Sequence, residues 1–181
     1  MLVHRTTRPR PKDPDPSIFK RVQPAFINPR APAPQLTVTW VGHASLLIQL
    51  DGLNILTDPM WSERASPAQF AGPKRWVAPG VALDALPPLE IILQSHNHYD
   101  HLDDHTVRQL VRRHPQAVWL APLGIASFVR KRGAPASTVI ELDCWQDYTV
   151  NALRIAATPA MPFSSRGVGD RGDTLWCGFA L

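Results

Sequence analysis

The chain has 181 residues, a net charge of +4 and a 44% hydrophobic fraction, enough to bury one core and too apolar for a disordered polyelectrolyte. Its two cysteines exclude a disulfide-stapled scaffold, and no apolar run reaches the length of a membrane-spanning helix. With no apolar core of a secretory signal at the amino terminus, a cytoplasmic setting is expected.

Residues 1–36 carry Pro9, Pro11, Pro14, Pro16, Pro24, Pro29, Pro32 and Pro34, a density that opposes regular structure. The segment is expected to be an extended arm on the surface of a domain spanning 37–181. It also holds Arg5, Arg8, Arg10, Lys12, Lys20, Arg21 and Arg30. These read as a solvated tail or as a weak attraction to anionic lipid headgroups, a peripheral contact at the inner membrane face. Phe19 and Phe26 do not alternate regularly with the charges as a stacking platform would, so nucleic acid is not expected as a partner.

Strand patterns begin after Leu36. Thr37–Val41 and Ser45–Leu50 alternate as strands, Asp51-Gly52 is a favoured hairpin turn, and Leu53–Thr57 returns. Asp58 follows at a strand end. By its position it reads as a turn residue before Pro59. Residues 60–88 form a long loop whose Trp61, Phe70 and Trp76 either wall a groove or anchor the loop to the core. Asp104–His114 has helical spacing, with Asp103 or Asp104 as its cap. Ala117–Leu120 is a buried strand, and Leu123–Arg132 is a helix stopped by Gly133. Val139–Leu142, Tyr148–Val150, Leu153–Ala156 and Thr174–Leu181 are further strands. Strands, then helix and strand again, describe an α/β chain.

The chemistry concentrates in Ser95-His96-Asn97-His98-Tyr99-Asp100-His101, which follows the apolar run Glu90–Gln94. A buried strand opens into a loop of three imidazoles and a carboxylate. Histidines at i and i+2 on extended backbone project to one side, so His96 and His98 can hold one metal. Asp100 and His101 can face a second. Paired metals about 3.5–4 Å apart activate water for displacement at phosphorus or carbon. Metal-assisted hydrolysis is the reaction class expected.

This H-x-H-x-D-H run resembles the signature of the metallo-β-lactamase superfamily. Trp40-Val41-Gly42-His43-Ala44-Ser45, Thr57-Asp58-Pro59, Glu63-Arg64-Ala65-Ser66-Pro67, Gly72-Pro73-Lys74-Arg75, Ala121-Pro122-Leu123-Gly124 and Glu141-Leu142-Asp143-Cys144-Trp145 are similar, in order and spacing, to the N-acylphosphatidylethanolamine phospholipase D branch. The resemblance implies an αββα sandwich with two zinc ions, or another divalent metal, at one edge between two sheets. It implies a phosphodiesterase that releases phosphatidic acid from an N-acylated phospholipid. His96, His98, Asp100 and His101 would be ligands, with Asp100 and His98 positioning the attacking water. Asp58 would orient a ligating histidine, and His43 would lie near the site without being a ligand.

Against that pattern, Pro162 in Pro159-Ala160-Met161-Pro162-Phe163-Ser164 stands where the family places a histidine. The family's later ligands fall beyond Leu181, so the chain reads as the first half of the fold. Two protein donors per metal, where three are usual, lead to the expectation of weak or absent activity in this chain alone. Alternative readings are a hydrolase of a lactone, thioester or cyclic phosphodiester, and a vestigial non-catalytic domain. Oligomeric state is not read from the sequence.

Overall fold

The computed structural model describes residues 12–20, 22–161, 163–167 and 169–181. Six strands form one mixed sheet in the order β1 to β6: β1 (Thr37–Gly42), β2 (Ser45–Leu50), β3 (Leu53–Thr57), β4 (Ile91–Leu93), β5 (Val118–Pro122) and β6 (Val139–Leu142). The first three pair antiparallel. From β3 onward neighbours are parallel, because the connections now cross over through the 60–88 loop, helix α1 (Asp104–Arg113) and the short helix α2 (Ala126–Arg130). A second, antiparallel sheet contains β7 (Asp147–Val150), β8 (Leu153–Thr158) and β9 (Gly178–Ala180).

The β2–β3 hairpin closes through Asp51 and Gly52 with φ of 52° and 73°. Both angles are left-handed, as a two-residue turn matched to strand twist requires. Pairing Leu50 with Leu53 then fixes the register. One face of the large sheet carries Leu47, Leu56, Ile92 and Trp119 and packs against Val107, Leu110 and Val111 of α1 and Ala126 and Val129 of α2. The opposite face carries Leu53, Ile55, Ile91, Leu93 and Leu120 and meets Leu153, Ile155 and Ala157 of the second sheet. Helices, sheet and sheet are thus stacked as in the expected sandwich. β4 lies between these layers, and all three of its residues are buried. That explains its unbroken apolar run, and its carboxyl end delivers the histidine loop.

Several elements differ from the expectation in extent. α2 is shorter, since Gly124 has a φ of +93° and its Cα face lies against Thr174. A side chain there would be strained and crowded, so the helix starts only at Ala126. The strand expected from Thr174 begins at Gly178. Before it, Leu175 N–H donates to Leu123 O and Cys177 N–H to Ser95 O, so these backbone groups serve loop contacts rather than a ladder. Asp103 occupies the N-cap of α1 without capping its backbone. Its carboxylate instead accepts from Ser62 N–H, Ser62 Oγ and Thr106 Oγ. Pro162 lies outside the described residues.

The described residues between 12 and 36 are mostly without regular structure, apart from a 3-10 turn at Pro16–Ile18. Part of this segment is pinned to the sheet. The Gln49 side chain accepts from Ile27 N–H and donates to Ile27 O, and Asn54 Nδ2 donates to Pro29 O.

Candidate metal centre

The cluster is built outward from Asp58, at the carboxyl end of β3, with only 7% of its surface exposed. A carboxylate so buried needs donors on both oxygens. Oδ1 accepts from Ser95 N–H at 2.7 Å and Gln94 Nε2 at 3.1 Å. Oδ2 accepts from Ser95 Oγ at 2.7 Å and lies 3.0 Å from His101 Nδ1. Because Ser95 gives its proton to Asp58, its oxygen is free to accept from His96 Nδ1, 2.8 Å away. One carboxylate therefore assigns both tautomers. It takes Nδ1–H of His101 directly and fixes Nδ1–H of His96 through Ser95. The Nε2 lone pairs of both rings are left pointing into the cluster.

His96 Nε2 lies 3.0 Å from His98 Nδ1. The His96 and His101 rings are 4.0 Å apart between centroids. Asp100 Oδ2 lies 2.8 Å from His43 Nε2 and 3.7 Å from His101 Nε2. The structure thus brings His96, His98, Asp100 and His101 to one sheet edge, with Asp58 behind them and His43 beside Asp100. His43 arrives from the turn between β1 and β2 at a φ of 52°, and its carbonyl accepts from Trp40 Nε1.

Burial, reinforced by the charges of His101 and His98, pulls His96 down to about 4. It is neutral at physiological pH, with a lone pair available. Burial also acts downward on His101, but the hydrogen bond and charge of Asp58 and the charge of Asp100 outweigh it and raise its pKa above the ordinary histidine value. For Asp100 burial acts upward, and the charge of His101, a backbone N–H and the contact with His43 together more than offset it, so the carboxyl stays below its usual range. Cys177, near Asp58, is pushed up to about 12, chiefly by burial, and is an inert thiol. A neutral His96 with an oriented lone pair beside an ionised carboxylate is the donor chemistry of a borderline divalent cation. His96 and His98 present facing ring nitrogens at a separation that one shared cation could span. The residues fit the group that the sequence predicts.

Phe163, Ser165 and Arg166 contact the loop that carries this cluster. Phe163 packs edge-on against His98 at 5.0 Å between ring centroids. Arg166 Nη1 donates to Asn97 O at 2.8 Å and Leu102 O at 2.6 Å, and its guanidinium lies over Tyr99 at 4.1 Å. Ser165 N–H donates to Asn97 Oδ1. These contacts brace the histidine loop from outside. Sequence reasoning assigned no role to Ser95, Asn97 or Arg166, and missed the direct contact of His43 with Asp100. Ser95 lies inside the motif and could have been found by asking what orients His96. Arg166 lies 69 residues from Asn97 and leaves no local signal.

A groove of about 1160 Å³ opens at His43 and Asp100 and runs between the arm, the outer face of β1 and residues 73–80. Phe19 and Trp76 stack along it at 6.1 Å, and Val38 and Trp40 expose apolar surface to it. Of the loop aromatics, Trp76 therefore walls the groove. Trp61 anchors instead, donating from Nε1 to Val81 O and packing on the core.

Comparisons with known proteins agree with this architecture. A model described as a β-lactamase superfamily domain matches residues 53–181. An uncharacterized protein of Mycobacterium tuberculosis is 40% identical over 99% of this chain and 46% of its own length. The N-acyl-phosphatidylethanolamine-hydrolyzing phospholipase D 1 of Caenorhabditis elegans is 39% identical over 81% of this chain and 43% of its own. The mitochondrial enzyme of the same name from Saccharomyces cerevisiae is 35% identical over 79% and 31%. The chain spans less than half the length of each of these three relatives. Among solved structures, a metallo hydrolase from Ignicoccus hospitalis superposes with a TM-score of 0.55 at 20% identity, over 80% of this chain and 54% of that one. CmlA, a diiron β-hydroxylase from Streptomyces venezuelae, gives 0.54 at 23% identity, over 70% and 24%. These two show the shared fold. The chain belongs to the metallo-β-lactamase superfamily, in the branch that includes the N-acyl-phosphatidylethanolamine-hydrolyzing phospholipases D.

Proposed function

We propose that this chain carries the ligand-bearing part of a metal-dependent hydrolase centre that acts on the phosphodiester of N-acylphosphatidylethanolamine-type lipids. His96 and His98 would hold one cation, and Asp100 and His101 a second, with zinc the metal best matched to imidazole and carboxylate donors. The observation that carries this reading is that the buried carboxylate of Asp58 orients both His96, through Ser95, and His101 toward one space. Cations bound there supply Lewis acidity toward a phosphoryl oxygen and acidify water. The protein's own part is to keep His96 neutral, keep Asp100 ionised and hold the loop rigid.

Two facts support a lipid substrate. Two curated relatives carry a phospholipase name, and the apolar groove opens beside Asp100 and His43. No helix among the described residues is long and apolar enough to cross a membrane. A peripheral contact with a bilayer would run through the exposed Ile18 and Val22 at the groove and the nearby Lys20.

The test is hydrolysis of N-acylphosphatidylethanolamine in mixed micelles by the zinc-loaded 181-residue chain. Slow release of phosphatidic acid and N-acylethanolamine is expected, as two protein donors per cation would allow, and it is lost on chelation and in His96→Ala. Turnover of lactone, thioester or cyclic phosphodiester substrates with none of the lipid would replace the substrate assignment. No turnover of any of them would favour a non-catalytic domain, the reading that Pro162 and the contact of Phe163 with His98 support.

A further inference from the structure

The sequence leaves His43 beside the cluster without a task. We propose that His43 is a positioning residue, whose Nε2–H donates to Asp100 Oδ2 and holds that carboxylate in the rotamer that serves a cation, while His43 itself binds none. The inference rests on the metal-dependent reading above.

The two aspartates of the cluster are held very differently. Asp58 is buried and takes donors from Ser95, Gln94 and His101. The Asp100 side chain is 39% exposed and lies in a turn. Among the described residues, one side-chain hydrogen bond reaches it, at 2.8 Å from His43 Nε2 to Oδ2. His101 Nε2, at 3.7 Å, is too far to donate. Without His43 the carboxylate is free to turn into water, and a cation would have to order it on binding. An ionised carboxylate only accepts, so the proton of the 2.8 Å bond sits on Nε2. That nitrogen has no lone pair left for a metal. His43 takes one acceptor position of Asp100, and the others stay open to a cation.

His43 can hold Asp100 because its own place is fixed. It sits in the turn between β1 and β2 at a φ of 52°, and its carbonyl accepts from Trp40 Nε1 at 2.9 Å. The next two residues tie that turn to the end of β3. Ala44 O accepts from Thr57 Oγ1 at 2.8 Å, and Ser45 Oγ donates to Asp58 O at 2.6 Å. The side chain of Asp58 orients His96 and His101, while its carbonyl anchors the turn that carries His43. One frame therefore sets both the imidazoles and the Asp100 carboxylate.

The experiment is the zinc affinity of the full chain, measured by competition with a chromophoric chelator. His43→Ala is expected to weaken binding about tenfold. His43→Gln, whose amide N–H can replace Nε2–H, is expected to recover most of that loss. In an Asp100→Ala background, His43→Ala is expected to add no further loss. A loss of equal size in both backgrounds, no loss in either, or a His43→Gln chain as weak as His43→Ala would overturn the positioning role and leave the metal-dependent reading standing. No uptake by the parent chain would overturn both. Should the variants alter folding, imidazole ¹⁵N spectra of the parent chain decide. On zinc addition His43 Nε2 must keep its proton while the His101 nitrogens shift, and a His43 Nε2 that loses its proton to the metal overturns the proposal.

Discussion

Two loops meet at the sheet edge, and they do opposite things. The loop after β4, residues 94–103, supplies donors, and its histidines are oriented from behind by Asp58 and Ser95. The 159–177 segment supplies braces. Phe163 lies on His98, Ser165 holds Asn97, and Arg166 grips the Asn97 and Leu102 carbonyls. Its Asp170 turns back on Ser165, Arg166 and Gly167 rather than toward the histidines. The difference teaches that the orientation of these histidines is settled locally, within one strand end and its loop, while the position of that loop depends on distant chain.

The sharpest way to break the comparison is Asp58→Ala. It leaves Ser95 and Gln94 donors buried without an acceptor and releases both histidine tautomers. A loss of about 3 kcal/mol is expected in urea unfolding of the metal-free chain, with cation affinity falling alongside.

Arg166→Met tests the bracing loop. Two carbonyl bonds to a charged donor are lost, for an expected cost of about 2 kcal/mol. Amide exchange should accelerate at His101 and Leu102, whose N–H groups both donate to His98 O. Slow exchange there in Arg166→Met would show that the ligand loop orders itself unaided.

The pH dependence of the metal-free chain separates two histidines of the same loop. His96 has its folded pKa depressed to about 4 from an ordinary 6.5, so the unfolded chain binds the extra proton between those values. Its contribution is present above 6.5 and lost as pH falls toward 4. His101 has a raised folded pKa, so its contribution is full below 6.5 and fades as pH rises through that raised value. Urea midpoints should therefore fall on both sides of about pH 6.5, by about 1–2 kcal/mol on the acid side. His96→Asn should flatten the acid limb, and an unaltered limb would mean that another group is responsible.

The smallest effect is expected for Phe163→Ala. The residue is 46% exposed, and an edge-on aromatic contact contributes about 1 kcal/mol or less. The melting temperature should move by a few degrees at most.

The donor loop was legible because its chemistry is compressed into residues 96–101 and preceded by the apolar β4. The hairpin at Asp51-Gly52 was legible for the same local reason. Asp103 shows where local reasoning fails. At the N-cap it reads as a helix cap, yet Ser62 lies 41 residues away and takes its carboxylate. The partnership of His43 with Asp100 spans 57 residues, and that of Arg166 with Asn97 spans 69. No periodicity or motif encodes such contacts. They exist only once β1, β4 and the second sheet are stacked.

The central claim is that this sheet edge is a metal centre. Elemental analysis of the purified 181-residue chain after equilibrium dialysis against zinc tests it most directly. At least about one equivalent per folded chain is predicted, falling below about 0.1 in the double variant His98→Ala/His101→Ala. A folded chain that retains no zinc, or a double variant that retains as much as its parent, would contradict it.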